Sequence, residues 1–196
     1  AVLAARPIVG ENPFAVLLPD VIIDEFACNL RSENLAQMIA RYEHSEHSQI
    51  MVEPVAVTDV DKYGIVDIDG KTIHAGDSAV IRDMVEKPSQ QQAPSRLAIT
   101  GRYVLSAQTW DLLEHTPPGA GGEIQLTDAL HQLRQLQTVE AFHLKGRSHD
   151  CGSKLGYMIA NVHYAMRSQQ FGSEFQAALE SMLAIEQAKH SASASA

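Results

Sequence analysis

The sequence predicts an α/β protein, a sheet covered by helices, on three observations. The first is a continuous apolar run, Phe14 to Leu18, that stops at Pro19. Such a run reads as a strand buried on both faces, as in a parallel sheet, and proline ends it because it has no N–H for the ladder. The second is a change of period after Ser32, where Leu35, Met38, Ile39 and Tyr42 fall at i, i+3, i+4 and i+7, one face of an amphipathic helix. The third is that extended and helical patterns keep alternating as far as Leu183.

Taken in order, residues 1–5 are compatible with a helix, and Pro7, Gly10 and Pro13 break it before the first strand. Ser32 is the expected N-cap of the next helix, with Glu33 at the positive end of its dipole. Residues 49–55 read as a strand. Asp69-Gly70 is a hairpin dipeptide between two extended stretches, the second leading through Ala75-Gly76-Asp77 to a strand over 80–85. Another strand is expected over 96–105, with Gly101 marking a close approach of some other group. A short helix over 107–115 ends at Pro117-Pro118-Gly119. Gly121-Gly122-Glu123 opens a helix to about Leu136, and residues 139–144 form a strand. Two further amphipathic helices carry Leu155, Met158, Ile159 and Val162, then Phe175, Ala178, Leu179, Met182 and Leu183. The expected domain covers 1–188, with 189–196 a flexible tail.

Composition narrows the function. A net charge of -9 over 196 residues leaves no basic stripe for a nucleic-acid backbone. No apolar stretch approaches the ~20 residues that cross a bilayer, and no secretory signal pattern is present. Cys28 and Cys151 have no Cys-x-x-Cys partner and read as free thiols, which makes the cytoplasm the expected compartment. His44 and His47 lie three apart without a ligand set around them and read as surface residues.

Three segments place charge directly after an extended stretch: Leu18-Pro19-Asp20, Val85-Glu86-Lys87-Pro88 and Ser148-His149-Asp150. Open α/β sheets bind ligands beyond the carboxyl ends of their strands. Mg²⁺ takes hard oxygen ligands and needs only one or two carboxylates when phosphates and water supply the rest. Lysine stabilises charge developing on a transferring phosphate, and a glutamate accepts hydrogen bonds from adjacent sugar hydroxyls. On spacing alone, Glu86-Lys87 as a solvated edge pair explains the same letters equally well, and Asp20 as a turn cap explains them better.

The runs Leu18-Pro19-Asp20-Val21-Ile22-Ile23-Asp24, Tyr63-Gly64-Ile65-Val66-Asp67 and Val85-Glu86-Lys87-Pro88 resemble, in this order, those of bacterial UTP–glucose-1-phosphate uridylyltransferases. So do Gly101-Arg102-Tyr103-Val104-Leu105-Ser106, Gly122-Glu123-Ile124-Gln125-Leu126-Thr127-Asp128 and the run from His149 to Met158. The resemblance reaches to about Leu183. It implies a Rossmann-like nucleotidyltransferase fold with a mixed, mostly parallel sheet flanked by helices, of which 1–188 is the C-terminal two-thirds. The implied reaction joins UTP and glucose 1-phosphate into UDP-glucose and pyrophosphate with Mg²⁺, in a homo-oligomer.

By the same resemblance Asp20 is a metal-binding and catalytic aspartate, and Asp150 is the second acidic metal ligand. Lys87 is the catalytic lysine at the sugar phosphate, Glu86 holds glucose hydroxyls, and Gly64 lines the sugar pocket. Gly101 and Glu123 border that pocket, while Asp24 and Asp67 are structural. The family's N-terminal glycine-rich, phosphate-cradling third has no counterpart here, so a truncation is expected, with activity only for the complete chain. The alternative is a non-catalytic regulatory paralogue, or an inactive fragment, that associates with the uridylyltransferase. Retention of Tyr63-Gly64 and Gly122-Glu123-Ile124-Gln125 favours the enzyme. A two-aspartate metal phosphatase lacks its nucleophile motif.

Overall fold

A computed structural model describes residues 1–119, 122 and 124–193, with side chains to residue 190. The chain divides into two compact units, Ala1–Ser148 and His149–Ala196, where the sequence reading has one domain over 1–188.

The first unit is built on a seven-stranded sheet. After a 3-10 turn at Val2–Ala5 and a short helix α1 (Arg6–Val9) come β1 (Phe14–Leu17) and β2 (Val21–Ile23). Next are α2 (Leu35–Ser45), β3 (Ser48–Pro54), β4 (Gly64–Asp67), β5 (Ser78–Val80) and β6 (Asp83–Glu86). Then follow β7 (Leu97–Leu105), α3 (Gln108–His115), α4 (Leu126–Leu136) and β8 (Val139–His143), and β9 (Ser148–Asp150) leads into the second unit. The strand order is β5-β8-β3-β7-β4-β6, with β1 paired to β7.

The sheet is mixed, but the expectation of mostly parallel strands is corrected. Among the described residues, β3–β8 is its only parallel pairing, and its other pairings are antiparallel. Burial on both faces, the signal read from the sequence, reports helices on both sides of a sheet and says nothing about strand direction. β1 departs further, because Phe14 and Val16 are half-buried while Ala15 and Leu17 are exposed. It pairs only with β7 among the described strands, and the alternation means that one face packs while the other meets solvent.

Two helices cover the sheet on opposite faces. Ile50, Val52, Val66, Ile99, Tyr103 and Leu105 pack with Leu130 and Leu133 of α4. Met51, Val104 and Phe142, from alternate positions of the same strands, pack with Met38 of α2. Full burial of such a side chain is worth roughly 1.5–3 kcal/mol relative to exposure. Trp110 of α3 stacks on Phe14 at 3.9 Å and 10° and donates Nε1–H to the Gly10 carbonyl, tying the first residues of the chain to the body.

The hairpin is also corrected. Asp69 and Gly70 do take left-handed turn conformations, but the antiparallel partner of β4 is β6, with Gly64 opposite Glu86. The stretch 80–85 is two strands, not one, because the Ile81 N–H bonds to Val139 and the Arg82 N–H to Asp67. Those two residues join the edges of the sheet. A flat six-strand path would separate its edges by about 24 Å at ~4.8 Å per strand, and three residue steps span at most ~11 Å, so the sheet curls. At α2 the N-cap is Asn34 rather than Ser32. The Asn34 amide is committed elsewhere, donating to the Lys145 carbonyl and accepting from the Lys145 N–H.

The second unit carries α5 (Lys154–Ala165) and α6 (Gly172–Ser193), so helix continues past Lys189. Ser153 caps α5 by accepting from the Gly156 N–H. The apolar face predicted for α5 is exposed, with Leu155, Met158 and Ile159 each more than half accessible, as are Met182, Leu183 and Ile185 of α6. Among the described residues no helix is long and apolar enough to cross a membrane. Neither Cys28 nor Cys151 forms a disulfide among the described residues.

Candidate functional site

The structure brings Gly64, Glu86 and Lys87 together through one strand pairing. Register sets Gly64 opposite Glu86, and the Glu86 side chain folds back over the glycine. A Cβ at Gly64 would stand 3.1 Å from Glu86 Oε2, 3.1 Å from Thr127 Oγ1 and 3.0 Å from Ile99 Cδ1. That floor has no room for a larger residue. The Thr127 hydroxyl, on the first turn of α4, donates to Glu86 Oε2 at 2.7 Å. The carboxylate is 14% exposed and so presents Oε1 outward, with Lys87 Nζ 3.9 Å away.

Lys87 has φ 45°, a left-handed conformation rare for a side-chain-bearing residue and further disfavoured before proline. Such strain costs on the order of 1–3 kcal/mol and is retained where surrounding structure enforces it. Here the Lys87 N–H is anchored on the Tyr63 carbonyl at 3.0 Å and Pro88 is buried. The ammonium, half exposed, is delivered to the rim of the same site.

Asp20 stands on the turn between β1 and β2. Leu18 donates its N–H to the Gly101 carbonyl at 2.9 Å. Gly101 is left-handed at φ 68°, and a Cβ there would meet Leu18 Cβ at 3.0 Å. The close approach expected at Gly101 is therefore by Leu18, and it coincides with a register shift between β3 and β7. The Arg102 guanidinium spans the turn, donating to the Leu18 carbonyl at 2.9 Å and the Val21 carbonyl at 2.6 Å. Asp20 itself is exposed. Its carboxylate accepts no hydrogen bond and makes no ion pair among the described residues.

The Tyr103 ring is buried within the sheet core, and burial pushes the phenol pKa up, reinforced by the negative charges of Glu86 and then Asp20. The hydroxyl stays protonated and lies within electrostatic reach of both carboxylates. Burial lowers the Arg102 guanidinium's pKa, with the Asp20 charge acting against that shift.

Asp24, only four residues beyond Asp20, has the opposite environment. It is fully buried, its Oδ2 takes the Arg147 Nε–H at 2.7 Å, and its Oδ1 takes the Phe26 N–H at 3.0 Å. Asp67 accepts the Asp69 N–H within the turn after β4. In the second unit Asp150 Oδ1 accepts the Gly152 N–H at 2.9 Å, just before α5. Glu123 lies outside the described residues.

A family model described as Nucleotidyl transferase matches residues 1–167. The chain belongs to this family. It is 57% identical over 185 residues to the UTP–glucose-1-phosphate uridylyltransferase of Escherichia coli strain K12, an alignment covering 94% of this chain and 61% of that protein. A structure of UDP-glucose pyrophosphorylase from Acinetobacter baumannii matches with a TM-score of 0.81 and 45% identity, over 92% of this chain and 60% of that one. A UTP-bound enzyme from the same organism matches with a TM-score of 0.79 and 45% identity, over 91% and 59%. The fold is thus that of a nucleotidyl transferase, a mixed sheet flanked by helices. The chain spans about 61% of the length of the first of these curated relatives.

Within this nucleotidyl transferase, sequence reasoning missed Thr127 and Arg102 as parts of the site. Each stands inside a quoted motif, but its partner lies far along the chain, 41 residues away for Thr127–Glu86 and 84 for Arg102–Leu18. Spacing carries no signal for such pairs.

Proposed function

We propose that the complete protein is a uridylyltransferase that forms UDP-glucose and pyrophosphate from UTP and glucose 1-phosphate. The observation that carries the reading is the Gly64–Glu86–Thr127 cluster with Lys87 at its rim. A fixed carboxylate over a glycine floor accepts hydrogen bonds from adjacent hydroxyls of a sugar, and a lysine beside it receives that sugar's phosphate. Identity to uridylyltransferases over nearly the whole chain supports the same substrate pair.

In the reaction a phosphate oxygen of glucose 1-phosphate attacks the α-phosphorus of UTP. The bond from that phosphorus to the β-phosphate oxygen breaks, and pyrophosphate leaves. Lys87 orients the attacking phosphate and balances its charge, supplying electrostatic stabilisation without any exchange of protons. Glu86, held by Thr127, fixes the sugar so that its phosphate meets the nucleotide in line. Gly101 acts through the backbone, setting the path of Leu18 and therefore of Asp20, and Glu123 borders the sugar.

Asp20 fits a divalent cation, being an exposed hard-oxygen donor that no hydrogen bond occupies. Asp20 and Asp150, the acidic residues of the two matching motifs, would hold Mg²⁺, which when bound would neutralise charge on the triphosphate. The exposed apolar residues of α5 and α6 suit self-association into a homo-oligomer, and the protein is read as cytoplasmic.

The reading is tested by incubating the complete protein with UTP, glucose 1-phosphate and Mg²⁺ and following both products. Equimolar UDP-glucose and pyrophosphate are expected. No turnover, or faster turnover with another nucleoside triphosphate, contradicts it.

A further inference from the structure

The turn that carries Asp20 is bridged by a side chain from a strand far along the sequence. Pro19 and Asp20 form a two-residue turn between Leu18 and Val21. Leu18 and Val21, on either side of it, pack against the two core clusters, and beside it lies a cavity of about 350 Å³ lined by Leu17, Val21, Ile22, Met51 and Arg102, among others. One side chain reaches the carbonyls on both sides of the turn. Arg102 Nη1 takes the carbonyl before Pro19-Asp20, at Leu18, and Nη2 the carbonyl after it, at Val21. A third, longer contact from Nη1 at 3.3 Å reaches the carbonyl of Gly101, which itself accepts the Leu18 N–H.

We infer that Arg102 is a positioning residue for Asp20, its guanidinium fork fixing the turn so that the carboxylate is preset for a divalent cation. The inference deepens the reading that Asp20 holds the metal and rests on it. A planar fork spans two carbonyls at a set separation, whereas a lysine offers one compact charge. Charge alone would work the other way, because a cation beside Asp20 repels a second cation. For a Lys substitution charge therefore predicts no change and geometry a loss, and for a Gln substitution the two predict opposite outcomes.

The test uses the complete protein, with Mn²⁺ as the probe, its binding read by electron paramagnetic resonance without substrate. Arg102→Lys keeps the charge and loses the fork, and it is expected to weaken Mn²⁺ binding by about tenfold, the usual scale for a group that orients a ligand. In the metal-free protein the same variant is expected to speed amide hydrogen exchange at Asp20 and Val21, with exchange in β3 and β8 unchanged. Arg102→Gln removes the charge as well and is expected to bind Mn²⁺ more weakly than wild type despite the lost repulsion.

Wild-type Mn²⁺ affinity in Arg102→Lys, in a protein where Asp20→Asn abolishes binding, overturns the role of Arg102 and leaves Asp20 in place. Mn²⁺ binding that survives Asp20→Asn overturns the metal reading on which the inference stands. Faster exchange throughout the sheet in Arg102→Lys would make Arg102 a general structural residue and also overturns the inference.

Discussion

At Asp20 the protein builds the backbone and leaves the carboxylate bare; at Glu86 it fixes the carboxylate itself. The Asp20 turn is held from outside, by Arg102 on its carbonyls and by Gly101 under Leu18. Glu86 belongs to a strand already held by its ladder, and the added constraint falls on the side chain, through Thr127 and the Gly64 floor. A cation brings its own strong attraction and needs an acceptor free of competing donors. A sugar binds through many weak hydrogen bonds, so an acceptor whose rotamer is already set loses less entropy on binding. Asp24 completes the contrast, being a carboxylate of the same type, four residues away, whose oxygens are taken by Arg147 and Phe26.

The largest effect that could break this comparison is at Asp20. Asn keeps the size and loses the charge, and in the complete protein Asp20→Asn is expected to reduce kcat/KM by on the order of 100-fold or more, since a metal's charge stabilisation is worth several kcal/mol. Folding should be unaffected, because no hydrogen bond to the carboxylate is lost. A melting temperature well below wild type would show that Asp20 has a structural duty after all.

A smaller effect is expected at the Glu86 corner. Gly64→Ala places a methyl within 3.1 Å of both Glu86 Oε2 and Thr127 Oγ1. Overpacking of this kind costs about 1–3 kcal/mol of stability, and displacement of the carboxylate should raise KM for the sugar phosphate more than it lowers kcat. Kinetics and thermal unfolding on one sample separate the two effects. An unchanged KM would mean that the floor is not part of the sugar site.

The smallest effect sharpens the contrast away from the site. Glu140 is a held carboxylate whose burial would raise its pKa, but hydrogen bonds from Gln49 and His47, with Arg41 nearby, outweigh that and lower it. A lowered pKa in the folded state contributes stability above the unfolded value, about 4.3 for glutamate. That contribution is lost as pH falls through the folded pKa. Glu140→Gln is expected to flatten the acid limb of the stability curve below about pH 4 without changing turnover. An unchanged acid limb would remove Glu140 from the charges that hold β3 to β8.

Much of this arrangement was legible in the sequence because it is local. Pro19-Asp20 after an apolar run and Glu86-Lys87-Pro88 at the end of another place charge at strand ends, and the structure keeps both there. Strand direction was not legible, since residues buried on both faces look alike in parallel and antiparallel strands. The split of 80–85 into β5 and β6 was hidden because Ile81 and Arg82 answer to Val139 and Asp67, which no local period encodes. Thr127 reads as an ordinary first-turn residue of α4 until the sheet brings Glu86 beneath it. The α5 face of Leu155, Met158 and Ile159 shows the converse. Its period is helical as read, but periodicity does not say what covers the apolar side.

Gly64, Glu86 and Lys87 are proposed to form one sugar-phosphate site. Lys87 tests it most directly, because its ammonium is half exposed and makes no contact that folding requires. The decisive measurement is steady-state formation of UDP-glucose by the complete protein and its Lys87→Ala variant, with a melting curve on each. The account predicts a loss of about 2–4 kcal/mol of transition-state stabilisation with thermal stability changed by no more than ~1 kcal/mol. Wild-type turnover in the variant would contradict it and return Glu86-Lys87 to a solvated strand edge.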